Sequence, residues 1–259
     1  MNRRSFLKGL LFISSIFTLK LKSSSKNNVS FDYGVASGDP TNTNIILWTR
    51  ATPSINKNIQ INWELSSDIS FKNILNSGTA FAKYSNDFTI KIDANVPKAY
   101  RGKKVFYRFF TNNTYSDTGI TNTLPDNNPD SYNIAFCSCS NHPAGYFNAY
   151  SEMSKNNKIE LVLHLGDYIY EYDKDGYATE DSKRFNRVVD PKHEIVSLED
   201  YRRRHAQYKS DLDLQTLHKS KPMIAVWDDH EFTNDSWKYG AENHQNLSLI
   251  HISEPTRPY

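Results

Sequence analysis

Three short stretches concentrate side chains that could do chemistry. Cys137-Ser138-Cys139 closes one apolar run, Asp167 and Tyr170 follow a second, and Asp228-Asp229-His230-Glu231 follows a third. Carboxylates suit hard cations such as Ca²⁺, Mg²⁺ and Fe³⁺, phenolate suits Fe³⁺, and thiolate adds a softer ligand. One aspartate can bridge two cations through its two oxygens while a tyrosine three residues later binds one of them. A lone Asp-x-x-Tyr occurs often by chance, whereas three ligand-bearing run ends in one chain form a rarer pattern.

The elements around these stretches read as strands and helices in alternation. "YNIAFCSC", "IELVLHL" and "MIAVWDD" are apolar strands. Residues Tyr146 to Asn156 and the segment "LEDYRRRHAQYKS" read as helices, the second opened by a capping box from Ser197 to Asp200. This pattern predicts an α/β unit with a parallel core, whose ligands gather at the carboxyl ends of the strands. Upstream, from Phe31 to Leu124, apolar residues alternate with polar ones, as in Ile59, Ile61, Trp63, Leu65 and in Val105, Tyr107, Phe109. Turn signals such as Gly38-Asp39-Pro40 separate these runs, which predicts an all-β immunoglobulin-like sandwich over residues 30–125. "LPDNNPDS" reads as the linker to an α/β unit over residues 132–246.

Composition narrows the partners. The chain has 259 residues and a formal charge of +2, yet its first 28 residues hold six basic side chains and no acid. The remainder is therefore net acidic, which argues against a nucleic-acid-binding surface. Residues 1–28 resemble a twin-arginine signal peptide, with Arg3 and Arg4 ahead of an apolar run from Phe6 to Leu19. That run is shorter than the ~20 residues of a membrane span, so no stable transmembrane span is expected. The expected partner is the twin-arginine export machinery, and the expected location periplasmic or extracellular. Residues 247–259, "LSLIHISEPTRPY", resemble a translated sequencing adapter and are set aside, with the natural protein expected to continue beyond Asn246.

"FDYGVASGDP", "ILWTR", "FCSCSNHPAGYFNAY", "HLGDYIYEY", "YRRRHAQYKSDLDLQ" and "VWDDHEFTND", in that order, resemble the PhoD-type alkaline phosphatases. The resemblance implies an immunoglobulin-like domain followed by a metallophosphatase domain, here incomplete, and Fe³⁺ and Ca²⁺ as cofactors. By position, Cys139 corresponds to the family's iron-binding cysteine, Asp167 to the metal-bridging aspartate and Tyr170 to the iron-bound tyrosine. Asp229 stands where related phosphoesterases carry a metal-binding Asn. His230 corresponds to the residue that contacts phosphate, and Asn234 is a calcium-ligand or phosphate-contact candidate. The expected substrate is a phosphate ester, mono- or diester, attacked by a metal-activated hydroxide. The family's downstream Asp-x-His ligands are not reached, so the 259 residues as they stand are expected to be an inactive fragment. Alternatives are a phosphodiesterase or phospholipase-like enzyme on the same centre, and a non-catalytic surface-binding protein.

Other residues are expected to be structural. Cys137 should pack rather than bridge to Cys139, because a disulfide between positions i and i+2 on a strand is strained. His164 reads as a core histidine, and His142, His205 and His218 as surface or hydrogen-bonding residues. Glu231 is expected to orient its neighbours. Arg202, Arg203 and Arg204 are expected to form a solvated helix face.

Overall fold

The computed structural model describes residues 28–242, apart from 113, 238 and 239. The signal-like residues 1–27 and the adapter-like residues 247–259 lie outside the described residues. No helix among the described residues is long and apolar enough to cross a membrane.

The alternating runs form strands whose apolar sides face one another. In chain order these are β1 (Val29–Ser30), β2 (Val35–Gly38), β3 (Asn44–Arg50), β4 (Thr52–Pro53), β5 (Ile59–Ser66), β6 (Ile74–Ala82), β7 (Thr89–Asn95), β8 (Val105–Phe110) and β9 (Gly119–Thr121). Ile45, Leu47, Ile61, Leu65, Val105, Tyr107 and Phe109 are buried between a four-stranded sheet ordered β6-β5-β8-β9 and the β2-β3-β7 part of a larger sheet. The period-two spacing thus puts one face of each strand in the core and leaves the other wetter.

Beyond the Pro/Asn-rich linker come β10 (Ile134–Cys137), helix α1 (Asn148–Lys155), β11 (Leu161–His164), helices α2 (Leu198–Lys209) and α3 (Leu212–Ser220), and β12 (Pro222–Ala225). Helix α2 opens with the expected box: Ser197 Oγ accepts the Asp200 N–H at 3.2 Å, and Asp200 Oδ2 accepts the Ser197 N–H at 3.0 Å. Helix α3 was not anticipated. Asp211 caps it by accepting the N–H groups of Asp213 and Leu214, both at 3.0 Å.

The three late strands are parallel neighbours, and they continue the upstream sheet without a break. The order is β10-β11-β12-β2-β3-β7, with β12 parallel to β2 through Pro222 beside Ser37 and Met223 beside Gly38. A Cβ on Gly38 would lie 2.4 Å from the Met223 carbonyl oxygen, so the junction needs glycine. The linker suggests two separate units, but the backbone hydrogen bonds join them in one sheet. A second core packs α1, α2 and α3 on one face of the parallel strands, through Tyr150, Val162, Ile169, Tyr208, Leu214, Leu217 and Met223. On the other face Phe136 and Val226 stay exposed.

The run of arginines departs from expectation. Arg202 and Arg203 remain at least partly exposed, but Arg204 is 1% exposed. Helical spacing aligns Arg204 with the buried Asp200 and Tyr208, four residues to either side, so this one guanidinium turns inward. There it donates to the backbone carbonyls of Tyr170, Asp190 and Pro191.

Candidate metal centre

Because β10, β11 and β12 are parallel and adjacent, their carboxyl ends lie along one edge, and the segment leaving each strand carries one of the three ligand clusters. Irregular backbone hydrogen bonds tie these segments together. Leu165 donates to Cys137 O at 2.8 Å, Cys139 to Gly166 O at 3.2 Å, Ser140 to Asp167 O at 2.8 Å and Val226 to His164 O at 3.0 Å.

The chain turns sharply there. Cys139 and Asp167 hold φ of 60° and 54°, and Gly166 holds 104°. Left-handed backbone is unfavourable for a side-chain-bearing residue, and such strain gathers where a structure forces a functional side chain into place. A Cβ on Gly166 would meet Asp228 Cβ at 2.4 Å and Asp228 N at 2.6 Å. Glycine therefore lets the β11 and β12 segments touch.

Asp167, Asp229 and His230 each offer a ligand atom, and the three atoms lie within 4.8 Å of one another. The Tyr170 hydroxyl donates to Asp167 Oδ2 at 3.2 Å, and its ring lies 4.1 Å from the His230 ring, centroid to centroid. Asp167 Oδ1 is buried without a hydrogen-bond partner among the described residues. An orphaned carboxylate oxygen in the interior is costly unless a cation or donor meets it, which fits a site built to hold a cation. Cys139 is exposed, and it lies close enough to Tyr170 to act on the phenol electrostatically. Burial first, then the charges of Asp167 and Cys139, push the Tyr170 phenol well above its ordinary range. Burial opposes charge on His230, but the Glu171 hydrogen bond and the charges of Glu171, Asp167 and Asp229 outweigh it and raise the imidazole pKa.

The structure thus brings Cys139, Asp167, Tyr170, Asp229 and His230 to one edge. Asn234 joins differently: its backbone N–H donates to Glu171 Oε1 at 2.6 Å, while its side-chain amide donates to Glu242. Glu231 orients its neighbours as expected, accepting the N–H groups of Asp167 at 2.9 Å, of Tyr168, and of Asp228 at 2.7 Å. Both cysteines are free, and burial raises the Cys137 thiol to about 11, in keeping with a packing role. His164 is buried, with Nε2 at 2.9 Å from both Ser140 Oγ and the Tyr150 hydroxyl, which anchors the segment after Cys139 to α1. Sequence reasoning assigned no role to Glu171, nor an inward one to Arg204. The only local hint was helical spacing around Arg204.

Two family models match this chain: the PhoD-like phosphatase N-terminal domain over residues 18–125, and the PhoD-like phosphatase over residues 134–255. The chain belongs to the PhoD-like phosphatase family. Alkaline phosphatase D of Bacillus subtilis (strain 168) is 40% identical over 214 residues, covering 79% of this chain and 36% of that protein. A solved structure described as "Structure of PhoD" superposes with a TM-score of 0.74 at 34% identity, covering 88% of this chain and 46% of that one. The chain therefore spans less than half the length of either relative.

Proposed function

We propose that this chain carries part of the active centre of an exported, cation-dependent phosphoric ester hydrolase. Support comes above all from the convergence of Asp167, Asp229 and His230 within 4.8 Å, with Tyr170 bonded to Asp167, in a member of a phosphatase family. Cys139, Asp167 and Tyr170 would hold Fe³⁺, whose preference is for phenolate and carboxylate. Asp167 and Asp229, with Asn234, would hold Ca²⁺, which favours oxygen ligands. When bound, such cations supply Lewis acidity toward phosphoryl oxygens and toward water.

The chain's own residues supply the rest. With its raised pKa, His230 in its doubly protonated form keeps Nδ1–H on Glu171 and donates a hydrogen bond or proton from Nε2 to a phosphate oxygen as negative charge grows there. Asp167 holds the Tyr170 phenol in place. The substrate class is a phosphate ester, and the comparison of mono- with bis-nitrophenyl phosphate separates monoesterase from diesterase. The twin-arginine signal, the export it implies, and an immunoglobulin-like domain ahead of a metallophosphatase domain belong to the same reading.

Iron titration tests the centre directly. Adding Fe³⁺ to the 259-residue chain is expected to produce a visible absorption band from phenolate-to-iron charge transfer. Tyr170→Phe should abolish the band, and Cys139→Ala should weaken iron retention on gel filtration. Equal colour in wild type and Tyr170→Phe would refute the assignment.

A further inference from the structure

Two buried glutamates cross between the segments that carry the centre. Glu171, directly after Tyr170, is 0% exposed. Its Oε2 lies 2.8 Å from His230 Nδ1, and its Oε1 accepts the Asn234 N–H at 2.6 Å and the Thr233 hydroxyl at 3.4 Å. Glu231, from the opposite segment, accepts the N–H groups of Asp167 and Tyr168 in return. Each segment thus lends a carboxylate to the other, and no Lys or Arg shares either one through a hydrogen bond among the described residues.

The arrangement constrains the histidine. A backbone N–H can only donate, so Oε1 of Glu171 is held as an acceptor. With Oε1 held as an acceptor, the Glu171 oxygen facing Nδ1 draws the ring proton to that nitrogen, as a hydrogen bond to one imidazole nitrogen selects the tautomer. Nε2 makes no hydrogen bond among the described residues and is the nitrogen left for substrate.

We propose that Glu171 is the positioning residue of this centre: it holds His230 as the Nδ1–H tautomer with Nε2 open, and with Glu231 it sets the separation of Asp167 from Asp229. Its functional meaning rests on the phosphatase reading. The protonation pattern of the ring does not, and it is measured with neither cation nor substrate present.

The test is a long-range ¹H–¹⁵N correlation spectrum of the labelled 259-residue chain at alkaline pH, where the ring is neutral. His230→Asn identifies the His230 signals. Wild type is expected to show a protonated Nδ1 and a bare Nε2. Glu171→Gln keeps one acceptor for Asn234 and turns an amide N–H₂ toward Nδ1, so the two ring ¹⁵N shifts should exchange places. A wild-type ring protonated at Nε2, or an unchanged pattern in Glu171→Gln, would overturn the proposal. If Glu171→Gln does not fold, the wild-type spectrum alone decides. Missing iron colour beside the expected tautomer would count against the metal centre and leave the role of Glu171 standing.

Discussion

Alanine at position 166 would place a methyl carbon 2.4 Å from Asp228 Cβ and 2.6 Å from Asp228 N. Carbon atoms in contact normally sit ~3.5–4.0 Å apart, so the β11 and β12 segments would have to part by about 1 Å. Overpacking of this kind costs about 1–3 kcal/mol. The φ of 104° adds to it, because holding a non-glycine residue in such a region costs about 1–3 kcal/mol. Together these give about 2–6 kcal/mol, a large share of the ~5–15 kcal/mol that holds a typical domain folded. At ~2–4 °C per kcal/mol for a chain of this size, the melting temperature should fall by roughly 4–24 °C. Gly145→Ala serves as the control, since a Cβ there meets nothing within 4 Å and its φ of 160° is extended backbone. Melting followed by circular dichroism compares the two variants with wild type, and the iron titration reports on the centre, since parting the segments also moves Asp167 away from Asp229. If Gly166→Ala melts within about 1 °C of the Gly145→Ala control, the close approach of the two segments is wrong.

Two further outcomes follow from the buried polar groups. Burial lowers His164 to about 4, and burial together with nearby Arg187 lowers His142 to about 4. Each stays neutral in the fold while its unfolded counterpart titrates near ~6.5, so the unfolded chain binds more protons in between. Their contribution is intact above about pH 6.5 and declines as pH falls toward about 4, at up to ~1.4 kcal/mol per pH for each ring. Urea midpoints measured across this range should drop less steeply in His164→Gln than in wild type; parallel slopes would contradict the burial. Arg204→Met removes the donor to the carbonyls of Tyr170, Asp190 and Pro191. At ~1–3 kcal/mol for each buried group left unpaired, urea unfolding should show a loss above about 3 kcal/mol. A loss no larger than that of exposed Arg203→Met would show that the strap is unimportant.

Much of the architecture is legible in short spans of chain. Period-two alternation marks β5, β7 and β8, and the Ser197–Asp200 box marks the start of α2, because each signal depends only on residues a few positions apart. The cluster of Asp167, Asp229 and His230 is legible for a related reason, since parallel strands must present their carboxyl ends together. Helix α3 carried a readable cap at Asp211 and was missed for want of a longer apolar period.

Residue types and local spacing determined the strands, the capped helix and the grouping of thiol, phenol, carboxylate and imidazole side chains at three strand ends. Only the tertiary structure decided that β12 lies beside β2, that Arg204 turns inward, and that Glu171 reaches His230 across 59 positions of chain. Hydrogen bonds of that range depend on strand order and on the register of neighbouring segments. Nothing in the nine residues around Glu171 encodes either.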